Sequence, residues 1–185
     1  MPTLTSTEAR AIASRILQRM GAPADVADVV GASLIGANLA GHANHGIAKL
    51  LDYRSRVARG ALDPAARAVV TQGQSSGSVV AVDGGRGFGH PAAKLLISTM
   101  VDRLQSEPVV VGGLTRASHT GRLGEWSEYA MTRGAIALLF SASLDGKEVA
   151  ASNGSRCPAT SNVVTATTPK TASGCLTLSG RIFRS

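Results

Sequence analysis

The chain is short of the groups that mark several protein classes. Of 185 residues one is Trp, two are Tyr and three are Phe, so any core must be built mainly from Ala, Val, Leu and Ile. Cysteine occurs twice, at Cys157 and Cys175, which is too few for a disulfide scaffold. A single bridge between them stays open, and nothing suggests an oxidising compartment. No apolar stretch approaches the roughly 18 residues that a membrane span requires. Met1 to Thr5 lack a charged segment leading into an apolar run, so no signal peptide is expected, and the cytoplasm is the expected location. Charged residues make up only 17% of the chain, against about 25% in ordinary soluble domains.

What is present is 44% apolar residues and 21 glycines. That content excludes a disordered chain, and the glycines follow no collagen-like period. The length suits one domain or two small ones. The formal charge of +7 invites a nucleic-acid reading, but its distribution argues against one. Residues 1–150 hold 15 basic and all 12 acidic residues, while 151–185 hold Arg156, Lys170, Arg181 and Arg184 and no acid. There is no dense basic cluster interleaved with aromatics, so neither a nucleic acid nor a membrane is expected as partner.

Periodicity divides the chain into helices followed by alternating strands and helices. Thr5-Ser6-Thr7-Glu8 reads as a capping box ahead of Ala9, Ile12, Ala13, Ile16, Leu17 and Met20 at helical spacing, with Gly21 as a stop. Pro23 suits the first turn of a second helix reaching about Leu39, and a third runs from Ile47 to Gly60. Strands are expected at 68–71 and 78–82, with a tight turn at Asp83-Gly84-Gly85. A helix follows over 89–104, then a strand at 109–111, a Gly/Ser/His loop from Gly112 to Gly121, a helix over 123–133 and a strand over 135–140. Beyond Lys147 the composition turns to Ser and Thr. Val163-Val164 and Leu176-Thr177-Leu178 suit edge strands, and the composition equally suits a solvated tail.

Chemistry concentrates in two loops. Gly41-His42-Ala43-Asn44-His45-Gly46 places two histidines three apart between helices, a pattern suited to acid–base work near neutrality. It has no Asp, Glu or Cys to complete a metal site, so no metal is expected. The plain alternative is a turn in which Gly41 ends a helix. If His45 opens the third helix, Lys49 shares its face, setting a cation beside a proton donor. Carboxylate-bearing carbonyl compounds need that pairing, although a lone Lys is ordinarily just solvated. Ser118-His119-Thr120-Gly121 lies between a strand and a helix, a common place for a ligand. The glycines at 85, 87 and 89 do not form G-x-G-x-x-G, and no acid about 20 residues on could read a ribose.

Two segments together, Ala37-Asn38-Leu39-Ala40-Gly41-His42-Ala43-Asn44-His45-Gly46-Ile47 and Arg116-Ala117-Ser118-His119-Thr120-Gly121-Arg122-Leu123-Gly124-Glu125, resemble the type 2 malate/L-lactate dehydrogenase family in order and spacing. Val82-Asp83-Gly84 and Val149-Ala150-Ala151-Ser152-Asn153-Gly154 fit as well. The resemblance implies an α/β fold, with an N-terminal helical region leading into a mixed, largely antiparallel cofactor sheet that is not a Rossmann fold and is incomplete in this chain. On that reading residues 1–105 form the helical substrate region, and 106–185 form part of the NAD(P)-binding sheet, divergent from about 151.

The implied activity is hydride transfer between NAD or NADP and a small 2-oxo or 2-hydroxy acid, in a homodimer. His45 matches the acid–base histidine and His119 the second active-site histidine. Asn44 and Lys49 fall at substrate-binding positions usually held by Ser and Arg; Lys keeps the charge without the bidentate fork. Thr120, Gly121 and Ser143 match cofactor contacts. The chain departs from the family late, with Thr160-Ser161-Asn162-Val163 for a Gly-Thr-Asn-Pro turn and Ser179-Gly180-Arg181 where an Asp motif is usual. It is also shorter than family members. The expectation is therefore a truncated or frame-shifted relative, with a non-catalytic remnant as the alternative to a working oxidoreductase.

Overall fold

A computed structural model describes residues 4–72 and 77–141, and the backbone of 162–167. Three helices come first: α1 (Ser6–Arg19), α2 (Ala24–Leu39) and α3 (Lys49–Ala58). The capping box opens α1, with Thr5 accepting from the Glu8 amide and the Glu8 carboxylate accepting from the Thr5 amide. Pro23 stands one residue ahead of α2 as its N-cap. The apolar stripes of the three helices meet in a core of Leu17, Val26, Val30, Leu34, Leu50 and Tyr53, closed by Leu62 and Phe88.

A second layer follows: β1 (Val69–Gln72), β2 (Val79–Asp83), α4 (Gly89–Arg103), β3 (Val109–Thr115), α5 (Leu123–Met131), β4 (Ile136–Ser141) and β5 (Asn162–Thr167). The sheet order is β1-β2-β3-β5-β4. Only β2 and β3 run parallel, joined through α4; the other three pairings are antiparallel. This is the mixed, largely antiparallel sheet anticipated above. α4 and α5 cover one face and bury Val80, Val82, Leu96, Ile97, Met100, Val110, Leu114 and Trp126. The opposite face leaves Val79, Val111, Ile136, Leu138 and Phe140 exposed. Residue 105 lies between α4 and β3, and the sheet layer draws on both sides of it.

Three expectations need correcting. The glycines at 112 and 113 do not start a loop, because β3 continues through them to Thr115. A Cβ at Gly112 would run into Leu96 and Met100 of α4, so glycine lets the helix lie close on the strand and marks no turn. His45 does not open α3 either; it ends a single 3-10 turn, Ala43–His45, and the helix begins at Lys49. Finally, Val163-Val164 lies in neither an edge strand nor a solvated tail, since β5 pairs with β3 on one side and β4 on the other.

Among the described residues no helix is long and apolar enough to cross a membrane.

Candidate active site

The two histidine loops meet where the helical core abuts the sheet layer. The first is fixed at both ends. Gly41, at φ 81°, ends α2, with its N–H on the Asn38 carbonyl at 3.0 Å and that of His42 on the Ala37 carbonyl at 2.9 Å. The Asn38 side chain then reaches across the turn, its Oδ1 accepting from the Ile47 amide at 2.8 Å. The second loop is zipped to the turn after β2. Gly84 donates to the Thr115 carbonyl at 2.8 Å, Arg86 to the Arg116 carbonyl at 2.6 Å, and Ser118 to the Gly87 carbonyl at 3.0 Å. Beyond it the Trp126 indole N–H holds the Thr120 carbonyl at 2.8 Å.

These anchors bring His45 Nδ1 to 2.8 Å from His119 Nε2, with the two ring planes within 9°. His119 Nδ1 lies 2.8 Å from the Tyr53 hydroxyl. Tyr53 is fully buried and packs edge-on against Phe88 at 5.4 Å, so the helical core itself aims this hydroxyl at the histidine pair. Behind His119 stands His90, wholly buried in the first turn of α4, its ring 5.5 Å from that of His119. Neither His90 nitrogen has a hydrogen-bond partner among the described residues.

Burial first, then the positive charge of Lys49, His45 and Arg56, pushes His119 down to about 4, with Asp52 opposing. His45 is lowered by burial, Lys49 and His42. His90 is pushed down to about 3, chiefly by burial. All three imidazoles are thus neutral at pH 7, while burial raises the Tyr53 phenol well above its usual range and keeps it protonated.

The pair opens on a cleft of about 600 Å³ whose wall includes Lys49, Arg56, Ser118, Thr120, Gly121 and Arg122. Arg56 is engaged by Asp52 at 3.1 Å, and Arg122 holds Glu128 through two bonds of 2.9 and 2.7 Å. Lys49 forms no ion pair among the described residues. Ser118 Oγ and Arg122 Nε are buried without partners among the described residues. Among the described residues no group of three or more His, Cys, Asp or Glu is placed to hold a metal.

Of the residues singled out from the sequence, His45, Lys49, His119, Thr120 and Gly121 therefore share one cleft. Asn44 sits exposed on the 3-10 turn and is not part of the cleft wall. Ser143 lies outside the described residues, although Ser141 lines the cleft. Tyr53 and His90 were not anticipated. Tyr53 sits in α3's apolar stripe, and only its hydroxyl distinguishes it from a plain core residue. Nor was the hydrogen bond from Ser33 on α2 to Glu125 on α5, which ties the helical layer to the sheet layer. Burial raises the Glu125 carboxyl, with Ser33 opposing.

Residues 4–177 match the malate/L-lactate dehydrogenase family. An L-lactate dehydrogenase of Cupriavidus necator is 30% identical over 153 residues, which span 83% of this chain and 43% of that protein. Hydroxycarboxylate dehydrogenase B of Escherichia coli O157:H7 is 30% identical over 125 residues, 68% of this chain and 34% of its own. Among solved structures, a delta1-piperideine-2-carboxylate reductase from Pseudomonas syringae superposes with a TM-score of 0.69 at 27% identity, over 76% of this chain and 42% of that one. The chain thus spans less than half the length of these relatives. The match along most of its length, the superposable fold and the two joined histidine loops lead to one assignment: this chain belongs to the malate/L-lactate dehydrogenase family.

Proposed function

We propose that the chain carries the acid–base and carboxylate-binding part of an oxidoreductase site that interconverts 2-hydroxy and 2-oxo acids with NAD or NADP. The observation that carries the reading is the hydrogen-bonded row Tyr53–His119–His45, which ends in the cleft beside Lys49, a cation with no ion pair among the described residues. Lys49 takes the substrate carboxylate by charge. That places the 2-oxygen next to His45, whose Nδ1 is occupied by His119 and whose Nε2 is left for the substrate.

The row has two tautomeric directions. With His45 Nδ1–H donating to His119 Nε2, and His119 Nδ1–H donating to the Tyr53 oxygen, His45 presents a bare Nε2 that accepts the proton of a 2-hydroxyl group. With Tyr53 O–H donating to His119 Nδ1, and His119 Nε2–H donating to His45 Nδ1, His45 presents an N–H to a 2-oxo oxygen. The depressed basicity of both histidines leaves the pair uncharged before substrate binds. It is therefore a base prepared for the hydroxy acid, and the incoming carboxylate offsets the Lys49 charge that depresses it.

The described residues fit the reactive end of a nicotinamide cofactor. The cleft wall beyond His119 carries the unpartnered Ser118 hydroxyl, and Thr120 and Gly121 are held against α5 and His90. Thr120 and Gly121, with Ser143, would hold the cofactor, which when bound supplies or takes up the hydride. A homodimeric assembly belongs to the same reading and rests on the family resemblance alone.

The test is oxidation of NADH or NADPH by a panel of 2-oxo acids, alongside nucleotide fluorescence on binding. Turnover that is lost in His45→Ala supports the reading. Nucleotide binding without turnover favours a binding remnant. The absence of both binding and turnover overturns the cofactor assignment.

A further inference from the structure

Among the described residues the cleft wall contains three cationic side chains and no carboxylate, yet the three are not equivalent. Arg122 is clamped by Glu128, both of whose oxygens accept from it, at 2.9 and 2.7 Å. Arg56 is held by Asp52, one turn back on the same helix, at 3.1 Å. Each guanidinium is therefore neutralised by a carboxylate fixed on its own or a neighbouring element. Lys49 alone brings charge that nothing among the described residues offsets.

Resting on the oxidoreductase reading above, we propose that this cleft selects acids bearing a single negative charge, 2-hydroxy or 2-oxo monocarboxylates with an uncharged substituent, over dicarboxylates and sulfonates. The first carboxylate takes Lys49. Among the described residues a second anionic group finds only guanidiniums whose charge a tethered carboxylate already offsets, so it gains little attraction in return for losing its own hydration. An uncharged substituent meets no such competition. The Arg122–Glu128 clamp is then a specificity device. Glu128 does not touch the substrate; it cancels the charge that would otherwise attract a second anion.

The experiment is calorimetric titration of the purified chain with L-lactate, L-malate and 3-sulfolactate, with and without NAD or NADP. Imidazole NMR shifts of His45 and His119 report where each acid sits. L-Lactate is expected to bind about tenfold tighter than the two dianions, the scale of one partly screened charge pair. Glu128→Gln frees Arg122 from an exposed partner; it should raise L-malate affinity about fivefold and leave L-lactate affinity unchanged. Equal or tighter L-malate binding in the unaltered chain overturns the proposal while leaving the acid site intact. So does unchanged L-malate affinity in Glu128→Gln. If no acid binds and neither imidazole shifts, the oxidoreductase reading itself falls, and this inference with it.

Discussion

The hydroxyl of Tyr53 and Nδ1 of His119 lie 2.8 Å apart, although the two residues are separated by 66 positions and sit on different layers of the fold. Tyr53 belongs to the helical core, and His119 to the loop that follows β3. The bond therefore couples the packing of the three-helix core to the orientation of the site's second imidazole.

Tyr53→Phe keeps the buried ring and its edge contact with Phe88 and removes only this bond. The expected loss is about 1–2 kcal/mol of unfolding free energy in urea, because the buried His119 nitrogen is left without its partner. Tyr53→Ala also opens a cavity in the helical core and should cost about 3–5 kcal/mol. Near-equal losses in the two variants would show that the hydroxyl dominates and that the ring packs loosely.

Stability should rise with pH between about 4 and 6.5 and level off above that range. His119 and His90 sit near 4 and 3 in the folded chain, whereas an unfolded histidine titrates near 6.5. The unfolded chain therefore binds more protons throughout this window, and acid favours unfolding. Among the described residues His90 has no hydrogen bond to lose, so His90→Leu should flatten the slope and make the chain more stable than the parent at pH 5. Urea midpoints at half-unit pH steps supply the check; an unaltered slope in the variant would rule out His90 as a source of acid sensitivity.

Gly46 is a close-approach glycine. Its φ of −89° is open to any residue, but a Cβ there would collide with the Asn38 side chain that holds the Ile47 amide. Gly46→Ala should cost about 1–3 kcal/mol and displace His45 from His119, seen as a change in both imidazole shifts. Adding Asn38→Ala makes room for the methyl group and should recover part of that cost. Additive losses in the double variant would mean that the collision is relieved elsewhere.

Strand β4 presents Ile136, Leu138 and Phe140 outward from one edge of the sheet. Leu138→Lys should leave the inward Ala137 and Leu139 in place and markedly reduce self-association. Light scattering across a concentration series measures it. Undiminished scattering would locate the sticky surface elsewhere.

The local grammar of the chain was largely legible. The Thr5–Glu8 box and the Gly41 stop depend on neighbours within a few positions, so sequence carries them. That His119 joins His45 and Lys49 in one cleft could be anticipated only from the resemblance, since the two histidines lie 74 positions apart. Tyr53 reads as one more apolar member of its stripe, because periodicity registers the ring and is blind to the hydroxyl. His90 gave no signal: burial without a partner is a property of the assembled fold. Gly112 misled for a related reason, since its lack of a side chain serves a helix packed across the strand, and a local reading takes any glycine pair as a turn.

The position of β5 sets the order in which this protein can be made. β3 emerges from the ribosome with β2 ready as a parallel neighbour, but its other flank stays unpaired until residues 162–167 arrive. β4, made in between, has no partner among the described strands until then, because its hydrogen bonds within the described sheet go to β5 alone. The outward row of Ile136, Leu138 and Phe140 and the open flanks of β3 and β4 thus wait through the synthesis of residues 142–161. Such long-range pairing is slow to form, and the waiting state is the one most open to chaperones and to misassembly.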